Sequence, residues 1–265
     1  MIEDLWRQAS ITFADPRSAE RVAVTRLGPT LADAEDHGLI TSWFFIRKAQ
    51  WRLRWLPVSP GASATVVDAL AGAGTSMTCT PSICELEEVA FGGSEGMETA
   101  CALFHADSSQ LLRRLAARQP LGRTETSVLL CGTLLRAAGL DWFEQGDVWA
   151  RVRSLRPGSP AIPADPERAR QLRDAMRTLM TTDARGLCGS GTRTAGPLSG
   201  CEHWIAAFEE AGQALARLNR DGRLERGLRA VLAHHLIFHF NRAGTSDHVT
   251  MAALAVGAVF HAAPD

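Results

Sequence analysis

Hydrophobic and polar positions change their period along the chain, and the change divides it. Trp6 to Phe13 reads as a strand. Asp15-Pro16 then offers an N-cap with proline at the first helical position, which predicts a helix to about Asp36, stopped near Gly38. Trp43-Phe44-Phe45-Ile46 is a compact apolar strand. Trp51-Arg52-Leu53-Arg54-Trp55-Leu56 alternates with period two and carries large residues on both faces. The short gap between these two strands predicts a hairpin. Pro57 to Gly61 reads as a turn, Ala62 to Ala71 as a helix, and Met77 to Phe91 contains a further extended stretch. The order β-α-β-β-α-β is that of a split β-α-β, ferredoxin-like sheet layer, with the pairing order left open.

From Ser94 onward the pattern turns helical. Ser94 is an N-cap candidate, and Glu95 and Glu98 in the first turn favour the helix dipole. Helices are predicted over 95–118, 124–139, 165–181, 201–219, 223–242 and 247–262. A Pro/Gly-interrupted connection runs over 146–164. A second loop, 183–200, carries Gly186, Gly189, Gly191, Gly196 and Gly200, a composition typical of mobile surface loops or lids. The expected fold class is α+β: a ferredoxin-like sheet layer at the N-terminus followed by a helical majority. The expected organisation is a single module over 1–265, with a sheet-forming half (1–93) and a mainly helical half (94–265).

Composition narrows the classes. A chain of 265 residues that is 46% hydrophobic and 22% charged can bury a core without disulfides or metals and is not disordered. A net charge of −1 gives no global field towards nucleic acid or an anionic membrane. Met1 to Phe13 lacks the basic-then-apolar pattern of a signal peptide. The longest apolar runs, such as Met251 to Ala263, are too short and interrupted to span a bilayer. These features predict a cytoplasmic protein with no nucleic-acid or membrane partner. None of the six cysteines forms a Cys-x-x-Cys pair, so free buried thiols in a reducing compartment are expected. Tyrosine is absent, which leaves proton transfer to Ser, His, Arg, Asp, Glu or water.

Three features could carry chemistry. Gly189-Ser190-Gly191 lacks the flanking pattern of a phosphate loop or nucleophile elbow and reads as a flexible loop. His234, His235 and His239 cluster on one predicted helix, with His235 and His239 on one face as in metal sites. No acidic residue lies between them and no third ligand is evident. A buried histidine or a metal-free acid/base histidine is the stronger reading, and no metal is expected. Arg52 and Arg54, two apart on a strand, share a face. Beside Arg47 they would form a strong anion or carbonyl site; a solvated strand face is the alternative. Phe238-His239-Phe240-Asn241-Arg242 closes a helix. It places a histidine, an amide and a guanidinium within one turn, which is explained either by the helix dipole or as a polarising, proton-shuttling set.

These same segments resemble a known family. Trp43 to Arg47 followed by Trp51 to Trp55 is similar to the "FFIRY…HLRLRF" hairpin of the C-terminal elimination domain of lantibiotic dehydratases, a module that also occurs as stand-alone proteins in thiopeptide biosynthesis. Glu87-Glu88-Val89-Ala90-Phe91-Gly92-Gly93 resembles the family's "PE-x-x-RYGG" segment. Phe104-His105-Ala106-Asp107-Ser108-Ser109 resembles its "F-x-x-DS" helix, and Phe238 to Gly244 its closing "hHxNRxG" motif. The matches run in order over the chain. Ala90 stands where glutamate-eliminating members carry the arginine thought to assist glutamate expulsion, Phe91 replaces the adjacent tyrosine, and Cys84 and Leu86 replace an upstream tyrosine and proline. Without that cation, a departing carboxylate or enolate loses charge stabilisation.

The departures point within the family to the thiopeptide pyridine synthases, formal aza-[4+2] cyclases. The resemblance implies a partner substrate: a ribosomally made precursor peptide with a leader and an azole-bearing core containing two dehydroalanines. One dehydroalanine, as its imidic-acid tautomer, adds to the other; water is lost, and aromatisation expels the leader as an amide. No cofactor is required. Orientation can supply up to about 7–11 kcal/mol, and proton transfer about 10²–10⁴-fold. On this reading Arg52 and Arg54 polarise the amide carbonyl, Glu87 clamps the arginines, and His239 is the acid/base. Asn241 and Arg242 orient it, and Ser246 hydrogen-bonds the carbonyl. Trp43, Trp51 and Trp55 line a trough for azoles or else pack in the core, with Arg47 and Ser109 beside the substrate. The alternatives are a glutamate-elimination lyase with a replacement cation such as Arg47, and a non-catalytic scaffold that binds leader peptide and partner dehydratase proteins. Amino-acid addition by a related ligase lacks the transfer domain it would need.

Overall fold

The computed structural model describes residues 5–47, 50–72, 76–117, 119–189, 195–245 and 247–261. The chain forms two compact units, Met1–Glu87 with Cys101–Gln119, and Glu88–Ala100 with Pro120–Asp265.

The first unit contains β1 (Arg7–Phe13), α1 (Ala19–Val22), α2 (Gly28–Asp36), β2 (Ile40–Arg47), β3 (Trp51–Pro57), α3 (Pro60–Ala71) and β4 (Met77–Ser82). The strands pair antiparallel in the order β2-β3-β1-β4, which is the split β-α-β, ferredoxin-like arrangement. The helix expected from Asp15 forms in pieces. Asp15 caps a 3-10 turn over Pro16–Ser18, and a π turn over Ala23–Leu27 separates α1 from α2. Pro29 explains the π turn: it has no N–H to give the preceding turn, so the ladder shifts register just before it. Leu27, Leu31, Val66 and Leu70 of the helices and Ala9, Phe45 and Leu53 of the sheet are almost fully buried and make this unit's core.

Strand β2 lies at the sheet edge, where unpaired backbone groups invite other strands. Helix α5 (Ser94–Leu115), whose residues from Cys101 onward belong to this unit, covers that edge. The Phe45 N–H donates to Ser108 Oγ (3.2 Å) and the Trp43 N–H to His105 Nδ1 (3.2 Å).

The second unit is helical: α4 (Glu88–Phe91), the start of α5, α6 (Arg123–Ala137), α7 (Trp142–Ser154), α8 (Pro166–Thr181), α9 (Glu202–Arg220), α10 (Leu228–Ala243) and α11 (His248–Phe260). Helix α10 is buried around most of its circumference from Val231 on, taking His235, His239, Asn241 and Arg242 inside along with its apolar residues. Helix α7 corrects the sequence reading, which placed a connection from residue 146. Gly146 broke the pattern, yet it sits mid-helix because α11 packs against it: a Cβ there would stand 2.7 Å from Val259 Cγ1. The start signal was present, since Asp141 and Glu144 form a capping box. Helix α10 also starts later than read, at Leu228.

The glycine-rich segment is tied back rather than free where it is described. The Leu198 N–H donates to the Leu187 carbonyl (3.0 Å), and Arg185 pairs with Glu209. Ser190 and Gly191 lie outside the described residues. No described helix is long and apolar enough to cross a membrane.

Close helix packing gives the first prediction. A Cβ at Gly212 of α9 would lie 2.5 Å from the Leu134 carbonyl oxygen and 2.8 Å from Ala137 Cβ, both on α6. Gly212→Ala should therefore destabilise by about 1–3 kcal/mol, read as a lowered urea midpoint. Gly186→Ala, where a Cβ meets nothing within 4 Å, should leave the midpoint within about 0.5 kcal/mol of wild type.

Candidate functional site

The arginine pair of β3 is divided by burial. Arg54 is 1% exposed and its guanidinium is held from three directions. Nε donates to Gln8 Oε1 (2.7 Å), Nη1 to Glu87 Oε2 (3.0 Å) and Nη2 to the Glu85 carbonyl (2.6 Å), and the group lies over the Phe44 ring. Gln8 is itself fixed, donating to Ser82 Oγ and the Ile83 carbonyl. Such a charge is tolerable inside only when paired in this way. Arg52, on the same face, is exposed. The two arginines thus share a face but not an environment: Arg54 is surrounded by protein groups, and Arg52 meets solvent. Arg47 is opposite Trp51 in the β2–β3 register and so on the other face, paired with Glu20 and stacked 4.3 Å from the Trp51 ring. It does not join Arg52 and Arg54.

The tryptophans fall on Arg47's face. Trp51 stacks on Phe45 (4.9 Å) and Trp55 is 1% exposed, so both are core and neither lines an open trough for azoles. Trp43 and Ser109 differ. Both border a cavity of about 320 Å³ beneath the π turn, walled by Val24, Gly28, Ala32 and Leu112, with Arg113 at its rim.

In that cavity stands Glu35, which no sequence signal singled out. Its Oε2 accepts from Trp43 Nε1 (2.8 Å), and its Oε1 faces His105 Nε2 at 3.4 Å. A carboxylate opposite Nε2 requires a proton there. His105 Nδ1 lies 3.2 Å from the Trp43 N–H and 3.1 Å from the Trp43 carbonyl. A neutral ring can therefore accept from the amide, and an imidazolium can donate to the carbonyl. Each form of the ring thus has a hydrogen-bond partner on the Trp43 backbone. The Trp43 N–H and carbonyl at β2's edge thus supply the histidine's partners.

The histidine-bearing helix lies in the second unit. His239 is 1% exposed and caged by Trp204, Phe208 (5.2 Å between rings) and Phe240. Asn241 accepts from Arg156 Nη2 (2.9 Å), and Arg242 is fully buried. His248, which sequence reasoning passed over, stacks near Phe240 at 5.4 Å; burial first and Arg156 next lower its pKa. Ser246 lies outside the described residues. Among the described residues no cluster of three or more His, Cys, Asp or Glu is placed to hold a metal. The Cys79 thiol is pushed up to about 11 by burial, which suppresses it as a nucleophile.

The family described as lantibiotic biosynthesis dehydratase C-term matches residues 6–258. The chain belongs to this family. Two solved structures share its fold. The tRNA-dependent lantibiotic dehydratase MibB from Microbispora sp. 107891 superposes with a TM-score of 0.64 at 18% identity, over 98% of this chain but 28% of MibB. TsrL superposes with a TM-score of 0.62 at 16% identity, over 96% of this chain and 94% of TsrL. The chain therefore spans about 28% of the MibB length, and at these identities the likeness is one of fold. No curated protein matches the sequence.

Within the family's segments, the structure gives physical reasons for two motif features. Gly92 and Gly93 have φ of 85° and 96°, and a Cβ on them would meet Leu224 at 2.7 Å and Glu225 at 2.6 Å. The pair makes room for the loop before α10, whose Glu225 N–H donates to the Gly92 carbonyl (2.9 Å). That loop also brings Arg226 Nη1 to the Ala90 carbonyl, at 3.4 Å.

Stability should follow pH through His235. Burial pushes its pKa down to about 4 from 6.5, with Arg242 and His234 adding to the effect against the Val231 carbonyl bond. Between these values the unfolded chain binds a proton that the folded chain does not. The contribution is present above pH 6.5 and is lost as pH falls towards 4, by on the order of 3 kcal/mol. The urea midpoint should fall across that window, and His235→Leu should flatten the fall; an unchanged slope would contradict the assignment.

Proposed function

We propose that this member of the family is a thiopeptide pyridine synthase. It joins two dehydroalanines of an azole-bearing ribosomal peptide by formal aza-[4+2] addition, with loss of water and release of the leader as an amide. The observation that carries this reading is Glu35, which lines the cavity beside Trp43 and is paired with His105. Tautomerising an amide to its imidic acid and then losing water are proton movements, and a carboxylate coupled to an imidazole that is hydrogen-bonded in both states can perform them without a cofactor. In this scheme Glu35 takes the amide proton, with His105 exchanging protons with the carboxylate. Arg113 and Ser109 stand at the cavity for the developing oxygen charge, and the apolar wall with Trp43 holds the ring or alkene. Arg54 and Glu87 hold the sheet and the 82–87 segment, and His239, Asn241 and Arg242 build the end of α10. Arg52 lies on the face of the sheet away from Trp43, outside this cavity.

One observation favours a second reading. Arg226 brings a guanidinium to the Ala90 carbonyl, so the position that lacks the elimination arginine still has a cation beside it. A glutamate-elimination lyase could draw on that group.

Intact-mass spectrometry of the purified protein with two peptides separates the readings. A leader-bearing azole peptide with two dehydroalanines should lose water and release an amidated leader. A peptide with glutamylated serine should remain unchanged; loss of glutamate, abolished by Arg226→Ala, would establish the second reading instead. Binding of both peptides without any mass change would favour the non-catalytic scaffold. Glu35→Gln, which preserves the acceptor for Trp43 Nε1, should cut turnover by about 10²-fold or more with an unchanged urea midpoint.

A further inference from the structure

A second and larger cleft lies wholly within the helical unit, with a volume of about 670 Å³, inside the range of roughly 300–1,000 Å³ typical of ligand sites. Three helices each present one arginine to it: Arg151 from α7, Arg220 from the end of α9 and Arg229 from the first turn of α10. The one carboxylate in the lining, Glu144, is occupied at the capping box of α7, accepting from the Asp141 N–H at 3.1 Å. Asp147 lies between two of the arginines, 3.5 Å from Arg151 Nε and 3.2 Å from Arg229 Nη1. It fixes both guanidiniums through one nitrogen each and leaves their remaining N–H groups for a ligand. Three cations against these two carboxylates leave the cleft positive on a chain whose net charge is −1.

We infer that this cleft docks an acidic segment of the peptide substrate, outside the cavity where the chemistry is placed. This rests on the reading that the substrate is a peptide. Guanidinium forks match carboxylates bidentately, and the walls between the arginines carry Asn219, Ala216 and Leu228, an amide and apolar side chains suited to peptide rather than to a bare inorganic anion. The size suits a chain segment better than a single phosphate. Docking through residues that take no part in the chemistry raises the effective concentration of the core at the cavity without altering the reacting groups.

The test uses the whole chain and a fluorescein-labelled twelve-residue peptide rich in Asp and Glu, with its Asn/Gln counterpart and a single-stranded DNA 12-mer as comparisons. Anisotropy should show saturable binding of the acidic peptide, weakened at least tenfold by the combined substitutions Arg151→Ala, Arg220→Ala and Arg229→Ala. Arg168→Ala on exposed α8 should have no effect on it. Equal affinity for the neutral peptide or for the DNA, or indifference to the triple substitution, would overturn the inference. With a leader-bearing dehydroalanine peptide, the triple variant should raise KM at least tenfold. If wild type turns over neither peptide substrate, the proposed function falls, while the anisotropy result still decides the cleft.

Discussion

The sheet unit depends on the burial of one charge. A guanidinium cannot enter the core of this size of protein unless its donors are met, and removing a partner from such a buried pair typically costs about 3–5 kcal/mol. Arg54 sits at the centre of β3, and its partners come from β1 and from the chain beyond β4. Gln8 comes from the neighbouring strand and Glu85 and Glu87 from the segment that follows β4. Those bonds tie β1, β3 and the chain leading out of β4 into one frame. The Arg54 face also takes Phe44 against Phe104 of α5, and the opposite face takes the tryptophans and the cavity.

The cavity follows from a second constraint, the open edge of β2. Helix α5 covers it, and the side chains that do so are a serine and a histidine rather than apolar groups. Ser108 answers the Phe45 amide. His105 answers the Trp43 amide and carbonyl with one nitrogen, which leaves the other to face Glu35. A device that prevents strand addition thus creates an imidazole with a partner for each protonation state. The π turn and Gly28, whose Cβ would lie 3.3 Å from Leu112, complete the walls.

Much of the fold was legible from periodicity. Alternation in Trp51–Leu56 and the β-α-β-β-α-β order led to a ferredoxin-like layer, and the antiparallel order β2-β3-β1-β4 supplies the pairing that local pattern could not. Helix α7 was missed because Gly146 reads as a breaker unless the approach of α11 is known. The site was less legible. Side-chain alternation correctly put Arg52 and Arg54 on one face, but only the third dimension shows that one is sealed by Gln8 and Glu87 while the other meets solvent. Trp43 and Ser109 were found through motif segments. Glu35 was not, because nothing local distinguishes a helical glutamate that meets an indole N–H eight residues later from one that meets water. His105 lay inside a recognised motif, and its importance comes from a strand 62 residues earlier in the chain.

The central claim is that Glu35 and His105 act as one proton-handling unit. A double-mutant cycle on turnover of the bis-dehydroalanine peptide tests it most directly, using Glu35→Gln, His105→Asn and the pair together. Asn at 105 keeps an acceptor near the Trp43 amide while removing the ring, so folding and chemistry remain separable. A unit predicts that the double variant is no slower than the slower single variant. Losses that multiply, or turnover that survives either substitution, would contradict the account.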